Sequence, residues 1–163
     1  MHIAFSIHTL LQYLIDHHIT VSTAESCSGG LISKLITDMP GCSDIYPGGV
    51  CSYSNEMKMK WLDVQEHTLA QYGAVSAQTA LEMAKGIRKA TGSDYGISTT
   101  GIAGPGGGST EKPVGLVYIA VVGENYHHVE PLPLDANMPL TRDNIRQATA
   151  IHALQLLWNT VMR

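Results

Sequence analysis

Segments rich in β-forming residues alternate along this chain with segments whose apolar residues recur every three or four positions. That alternation restricts it to folds in which helices pack on a sheet. Ile3, Ile7, Leu10, Leu11, Leu14 and Ile15 keep the helical spacing, which predicts an amphipathic helix over residues 3–17. Thr20 to Thr23 is β-leaning. Leu31, Ile32, Leu35 and Ile36 then return to helical spacing until Pro40-Gly41, so this second helix should stop near Asp38. Gly48 to Tyr53 reads as a short strand, followed by a helix capped by Ser54 or Asn55 with Met57, Trp61 and Leu62 on its apolar side. Leu69 and Tyr72 mark a short helical piece, and Ser76 caps a longer helix reaching Ala90. Tyr95–Thr99 and Val114–Val122 are β-like. The second of these is joined through Gly123-Glu124-Asn125 to a strand over Tyr126–Leu134, where Pro131 and Pro133 demand a sheet edge. Ile145, Ala148, Ile151, Leu154, Leu157 and Val161 define a long closing helix with Thr141 as its cap. The order α-β-α-β-α-α-β-β-β-α predicts an α/β fold. It is a three-layer α/β/α sandwich with a mixed, mostly parallel sheet and an antiparallel hairpin in the C-terminal half, residues 1–163 forming one domain.

Composition narrows what such a fold can do. Ten basic residues scattered through a chain of net charge -4 form no basic stripe, which argues against a nucleic-acid partner. The apolar runs fall short of the roughly 20 residues that span a bilayer, and the first residues lack a basic leader, so neither membrane insertion nor secretion is expected. Cys27, Cys42 and Cys51 are an odd number without C-x-x-C spacing, which predicts no disulfide framework and fits a cytoplasmic setting. The eight histidines include two adjacent pairs and no H-x-x-x-H or H-x-E pattern, so no metal is expected. Only 15% of residues are charged, a sparse surface that favours a homodimer.

Three stretches carry chemistry-bearing residues. Thr23-Ala-Glu-Ser-Cys-Ser-Gly-Gly30 sets two hydroxyls and a thiol between a strand and a helix opened by glycines. On pattern alone it is either an N-cap or a catalytic turn whose helix N–H groups face an anion. Gly101 to Gly108 holds five glycines in eight positions, either a flexible loop or a backbone nest around a phosphate or planar ligand. Lys58 and Lys60, two apart on one short helix, cannot share a face. Arg142 and Arg146 lie one turn apart at the start of the last helix, where cations oppose the helix dipole; they are a solvated pair or an anion-binding pair. Familiar templates fail: G-x-S-x-G is absent, the lone S-x-x-K match (Ser109 to Lys112) lies inside the glycine loop, and no helix pattern follows that loop as phosphate-binding fingerprints require.

These stretches, with Gly48-Gly-Val-Cys-Ser-Tyr-Ser-Asn-Glu-Met-Lys58, Gly73-Ala-Val-Ser76 and Thr100-Gly-Ile-Ala-Gly-Pro-Gly-Gly-Gly-Ser-Thr-Glu-Lys-Pro-Val-Gly115, resemble the CinA C-terminal domain family across almost the whole chain. The resemblance implies the three-layer fold and nicotinamide mononucleotide deamidase activity. That reaction gives nicotinic acid mononucleotide and ammonia, in pyridine nucleotide salvage, with no cofactor. It further implies Ser26 as nucleophile, Lys58 as its base and Tyr53 as a nearby hydrogen-bonding partner. A lysine serves as base only if its pKa of about 10.4 is lowered by burial or by a neighbouring charge such as Lys60. The backbone N–H groups of Cys27, Ser28, Gly29 and Gly30 are expected to face the oxyanion. Thr100, Gly101, Gly104, Gly106, Gly107, Arg142 and Arg146 are expected to hold the pyridine mononucleotide, its phosphate in particular, while Glu25 is expected to be structural. Two departures stand out: Ser28 replaces the threonine expected there, and Asn137-Met-Pro-Leu-Thr-Arg142 keeps the arginine of a Phe-x-Gly-Asp-Arg stretch but not its glycine and aspartate. The alternative is a nucleotide-binding or competence-related regulatory module that has kept the pocket without the chemistry.

Overall fold

A computed structural model describes residues 4–163. Helix α1 (Ile7–His17) leads into strand β1 (Val21–Glu25), helix α2 (Leu31–Thr37) and strand β2 (Gly48–Cys51). Helices α3 (Asn55–Leu62), α4 (Glu66–Tyr72) and α5 (Ala77–Thr91) follow, then strands β3 (Tyr95–Gly101), β4 (Val117–Val122) and β5 (His127–Pro131), and helix α6 (Arg142–Val161) closes the chain. The short helical piece expected at Leu69 and Tyr72 is a helix in its own right with Gly73 as C-cap, so three helices separate the second and third strands where the element order counted two. Ile3, placed in the first helix by its spacing, lies outside the described residues. Within them the helix begins at Ile7, where the Ser6 side chain accepts from Thr9 N–H.

The sheet runs β2-β1-β3-β4-β5. β1 pairs parallel with β2 and β3, whereas β3–β4 and β4–β5 are antiparallel. The sheet is therefore mixed, as expected, but evenly divided rather than mostly parallel, because the glycine loop returns the chain beside β3 without a crossover helix. β5 is an edge strand, which its prolines require.

Alternation along the strands sorts the two faces. Val21, Ile97, Val117, Ile119 and Val121 face a core completed by Leu10, Leu14, Ile32, Ile36, Ile145, Leu154 and Leu157 of α1, α2 and α6. The opposite face bears small residues, Ala24 and Ala120 among them, packed against α3 and α5. Small size there lets α5 come in close: a Cβ on Gly96 would lie 2.3 Å from the Ala84 carbonyl oxygen. A Cβ on Gly86, inside α5, would lie 1.9 Å from the Leu62 carbonyl oxygen at the end of α3. An alanine in a helix interior normally stabilises by about 1 kcal/mol relative to glycine. Here Gly86→Ala is expected to destabilise by about 2 kcal/mol in urea melts, because α3 must be pushed away. That contact bears on the chemistry, since α3 carries Lys58.

Candidate active site

Ser26, Ser52 and Gly101 all lie at the carboxyl ends of the three parallel-paired strands, the end at which open α/β sheets bind ligands. Thr23 to Glu25 belong to β1, because Glu25 still pairs with Cys51 on one side and Thr99 on the other. The turn proper is Ser26–Gly30. Ser26 N–H donates to Thr99 O at 3.1 Å, which ties the turn to β3. Gly29 (φ 63°) and Gly30 (φ 94°) then pass through left-handed backbone into α2, a route that costs a residue with a Cβ roughly 1–2 kcal/mol.

Lys58 enters this turn from α3. Its Nζ lies 3.0 Å from Ser26 Oγ and donates to Ser52 O at 2.6 Å. Ser54 caps α3, and Lys58 and Leu62, four residues apart, form its buried face, while Lys60 is exposed. The side chain is only 1% exposed, and this burial pushes its pKa down from 10.5 to about 8, with the Cys27 thiol pulling slightly the other way. Burial, rather than Lys60, is the cause. Ser26 is 8% exposed, so only a small part of it meets solvent.

The backbone donors of the turn divide into two groups. Gly29 N–H is taken by Ser26 O at 3.1 Å and Gly30 N–H by Glu25 Oε2 at 3.1 Å. Among the described residues no carbonyl or side-chain oxygen accepts from Cys27 N–H or Ser28 N–H; both face the Cys27 sulfur, a weak acceptor. Glu25, fully buried, also accepts from Ile32 N–H, Ser33 N–H, Ser33 Oγ and Ser28 Oγ. The N-terminus of α2 is therefore occupied by the chain's own carboxylate. Ser28 Oγ further pairs with Thr99 Oγ1 at 2.7 Å.

Tyr53 stands farther out. It is 61% exposed, and its hydroxyl accepts from Arg142 at 2.7 Å, with no hydrogen bond to Ser26 or Lys58. The other arm of Arg142 donates to Gly104 O at 2.7 Å, so this guanidinium joins the glycine loop to Tyr53 and is not a freely solvated charge. Arg146 donates through Nε and one terminal nitrogen to Ser28 O at 3.2 and 3.0 Å, lying over Gly29 so closely that a Cβ there would meet it. Thr100 is buried and donates to Ala74 O; Gly101 still pairs with Val117. Gly106 and Gly107 are exposed on the loop. Beyond them Lys112 donates to Tyr72 O and Val75 O at 2.7 and 2.8 Å, which pins the far end of the loop to the α4–α5 connection. Lys112 closes the S-x-x-K pattern inside the glycine loop, and nothing local to it signals this contact across 40 residues.

Cys27 is 5% exposed, and burial pushes its thiol up to about 12, which leaves it unreactive. Among the described residues no group of three or more His, Cys, Asp or Glu could hold a metal ion, and no helix is long and apolar enough to cross a membrane. His128 and His152 instead flank the Glu130 carboxylate at 2.7 and 2.6 Å. A groove of about 360 Å³ between α5 and the β4–β5 turn lies at the opposite end of the sheet from Ser26. Its Arg88 and Lys89 belong to the last turn of α5, where cations offset the helix dipole, so the groove does not compete with the serine turn as a reaction centre.

The same arrangement of elements recurs in solved structures. A competence/damage inducible protein, CihA, from Agrobacterium tumefaciens is 39% identical with a TM-score of 0.86, and the match covers 98% of both chains. A CinA superfamily protein from Escherichia coli is 27% identical with a TM-score of 0.86, over 98% of this chain and 94% of that one. Among curated relatives, one described as competence-damage inducible in Acetivibrio thermocellus is 50% identical over 152 residues, 93% of this chain. A CinA-like protein of Leptospira interrogans is 47% identical over 94% of this chain. The chain spans only about a third of the length of these curated relatives, 36% in both cases. The family model described as the CinA C-terminal domain matches residues 5–161. With helices, sheet and serine turn all inside that span, the chain belongs to the CinA C-terminal domain family.

Proposed function

We propose that this chain is an amidohydrolase that converts nicotinamide mononucleotide to nicotinic acid mononucleotide and ammonia, with Ser26 as nucleophile and Lys58 as its base. The observation that carries this reading is the 3.0 Å contact between Ser26 Oγ and a buried lysine whose pKa is lowered to about 8. Neutral Lys58 takes the Ser26 proton as Oγ attacks the carboxamide carbon. Cys27 and Ser28 N–H stabilise the resulting oxyanion, donors of a kind worth roughly 3 to 4 kcal/mol each. The ammonium of Lys58 then protonates the amide nitrogen as the C–N bond breaks, so that the nitrogen departs as ammonia, Lys58 is left neutral and an ester remains on Ser26. Water, deprotonated by Lys58, cleaves that ester to the carboxylic acid and restores the serine. Arg142, Tyr53 and the loop Gly104–Gly107 form the side on which the ribose phosphate is held.

In this reading the enzyme works in pyridine nucleotide salvage in the cytoplasm, as a homodimer, with no metal or other cofactor. Exposed Ile151 and Met162 offer apolar surface to a second copy, and light scattering reads the oligomeric state. The test of activity is ammonia release from nicotinamide mononucleotide by the well-folded protein. Failure to release ammonia, with the mononucleotide still bound in calorimetry, identifies a binding module instead. Because Lys58 must be neutral to act, kcat/KM is expected to rise with pH through about 8 and level off above it. A profile flat from pH 6 to 9 removes Lys58 as the base.

A further inference from the structure

The geometry points to Glu25 as the positioning residue of the nucleophile turn: it occupies the N-terminus of α2 and leaves Cys27 and Ser28 N–H as the turn's donors that no oxygen takes among the described residues. Both face only the weakly accepting Cys27 sulfur. The inference rests on the reading of Ser26 as nucleophile. Five donors converge on one buried side chain, three backbone N–H groups (Gly30, Ile32, Ser33) and two hydroxyls (Ser28, Ser33), at 2.7 to 3.1 Å. No lysine or arginine hydrogen-bonds to Glu25 among the described residues, so peptide groups and hydroxyls alone satisfy it.

A helix beginning after a nucleophile would ordinarily offer its own N–H groups to an anion. Here Glu25 takes them, and its residence there has two consequences. No substrate phosphate or product carboxylate can settle on α2, so external anions are directed to the arginine side of the site. The segment between Ser26 and Leu31 is also held at both ends: Ser26 N–H is bound to Thr99 O, and Gly30 N–H to Glu25. Ser28 is fixed in the middle by its hydroxyl, which bridges Glu25 Oε2 and Thr99 Oγ1 at 2.7 Å each, while Arg146 holds its carbonyl. Both oxyanion donors thus sit on a segment whose peptide planes cannot rotate unless Glu25 lets go.

Glu25→Gln keeps the shape but turns an NH2 group toward N–H and O–H donors, forcing the turn to shift. A displacement of this kind is expected to lower kcat about 10- to 100-fold with KM within about twofold of wild type. The pH midpoint should not move, because Lys58 is held independently by Ser52 O. Ser28→Ala, which removes only the bridging hydroxyl, is expected to lower kcat about 10-fold, and Ser28→Thr to recover at least about a third of the wild-type rate. A readout independent of substrate is the rate at which a fluorophosphonate probe labels Ser26, followed by intact mass; it should fall in parallel with kcat. Amide hydrogen exchange at Gly30, Ile32 and Ser33 should speed up in Glu25→Gln. If that variant does not fold, the Ser28 pair carries the test. Labelling and kcat of Ser28→Ala within twofold of wild type, or a loss confined to KM, overturns the proposal. Wild-type protein that is labelled at Ser26 but releases no ammonia refutes the substrate alone and leaves the positioning role to be read from labelling. Wild type that is not labelled at all refutes both.

Discussion

Ser26→Ala is expected to lower the rate of ammonia release from nicotinamide mononucleotide by about ten-thousand-fold or more, the scale seen when the nucleophile of an assembled catalytic set is removed. No neighbour can take over. Cys27 is next in the chain, but burial holds its thiol near 12, so almost no thiolate exists at neutral pH. Ser28 is committed through its hydroxyl to Glu25 and Thr99. The variant should fold, since it removes one hydroxyl at a site still partly open to water, and Lys58 keeps its bond to Ser52 O. Mononucleotide affinity, measured by calorimetry, should change little, because the proposed phosphate contacts lie on the side of Arg142. A variant that keeps more than about a tenth of wild-type turnover would remove Ser26 from the mechanism.

Lys58→Met should abolish turnover to a similar extent and yet leave the protein more stable, an opposition that separates a catalytic lysine from a structural one. Burial lowers this group from 10.5 to about 8, so holding it charged in the folded state costs about 3 kcal/mol. Methionine fills similar space without a charge but forfeits the bonds to Ser26 and Ser52, each worth about 1 kcal/mol. A net gain of about 1 to 2 kcal/mol at pH 7 is therefore expected in urea melts. The pH dependence has a definite sign. Between about 8 and 10.5 the unfolded chain binds this proton and the folded chain does not, so wild-type stability from this group rises with pH over that window. The advantage of Lys58→Met should be full below pH 8 and shrink toward pH 10.5. Loss of stability at pH 7 would mean that the lysine's hydrogen bonds outweigh its burial cost.

Much of this molecule was legible in its residues. Caps at Ser54, Ser76 and Thr141, the end of α2 at Asp38 ahead of Pro40-Gly41, and the prolines that hold β5 to an edge are local signals, and each is where local chemistry puts it. The role of Glu25 was partly visible: a helix opened by Gly29-Gly30 has no side-chain cap of its own, and a carboxylate a few residues upstream is the natural substitute. The even split of parallel and antiparallel pairing was not visible. It depends on whether the glycine loop crosses over the sheet or folds back, and glycines permit both.

By itself the sequence determined the alternation of elements, the serine turn at the end of the first strand and the family pattern around it, because periodicity, capping and turn chemistry act over a few residues. Only the tertiary structure decided which lysine meets Ser26, that Tyr53 answers to Arg142 rather than to the serine, and which turn N–H groups are left without an oxygen acceptor. Those choices depend on contacts between segments far apart in the chain: α3 seated against Gly86, α6 laid over the turn, β3 beside β1. Burial set by that packing, and not the identity of the residue, is what brings Lys58 down to about 8.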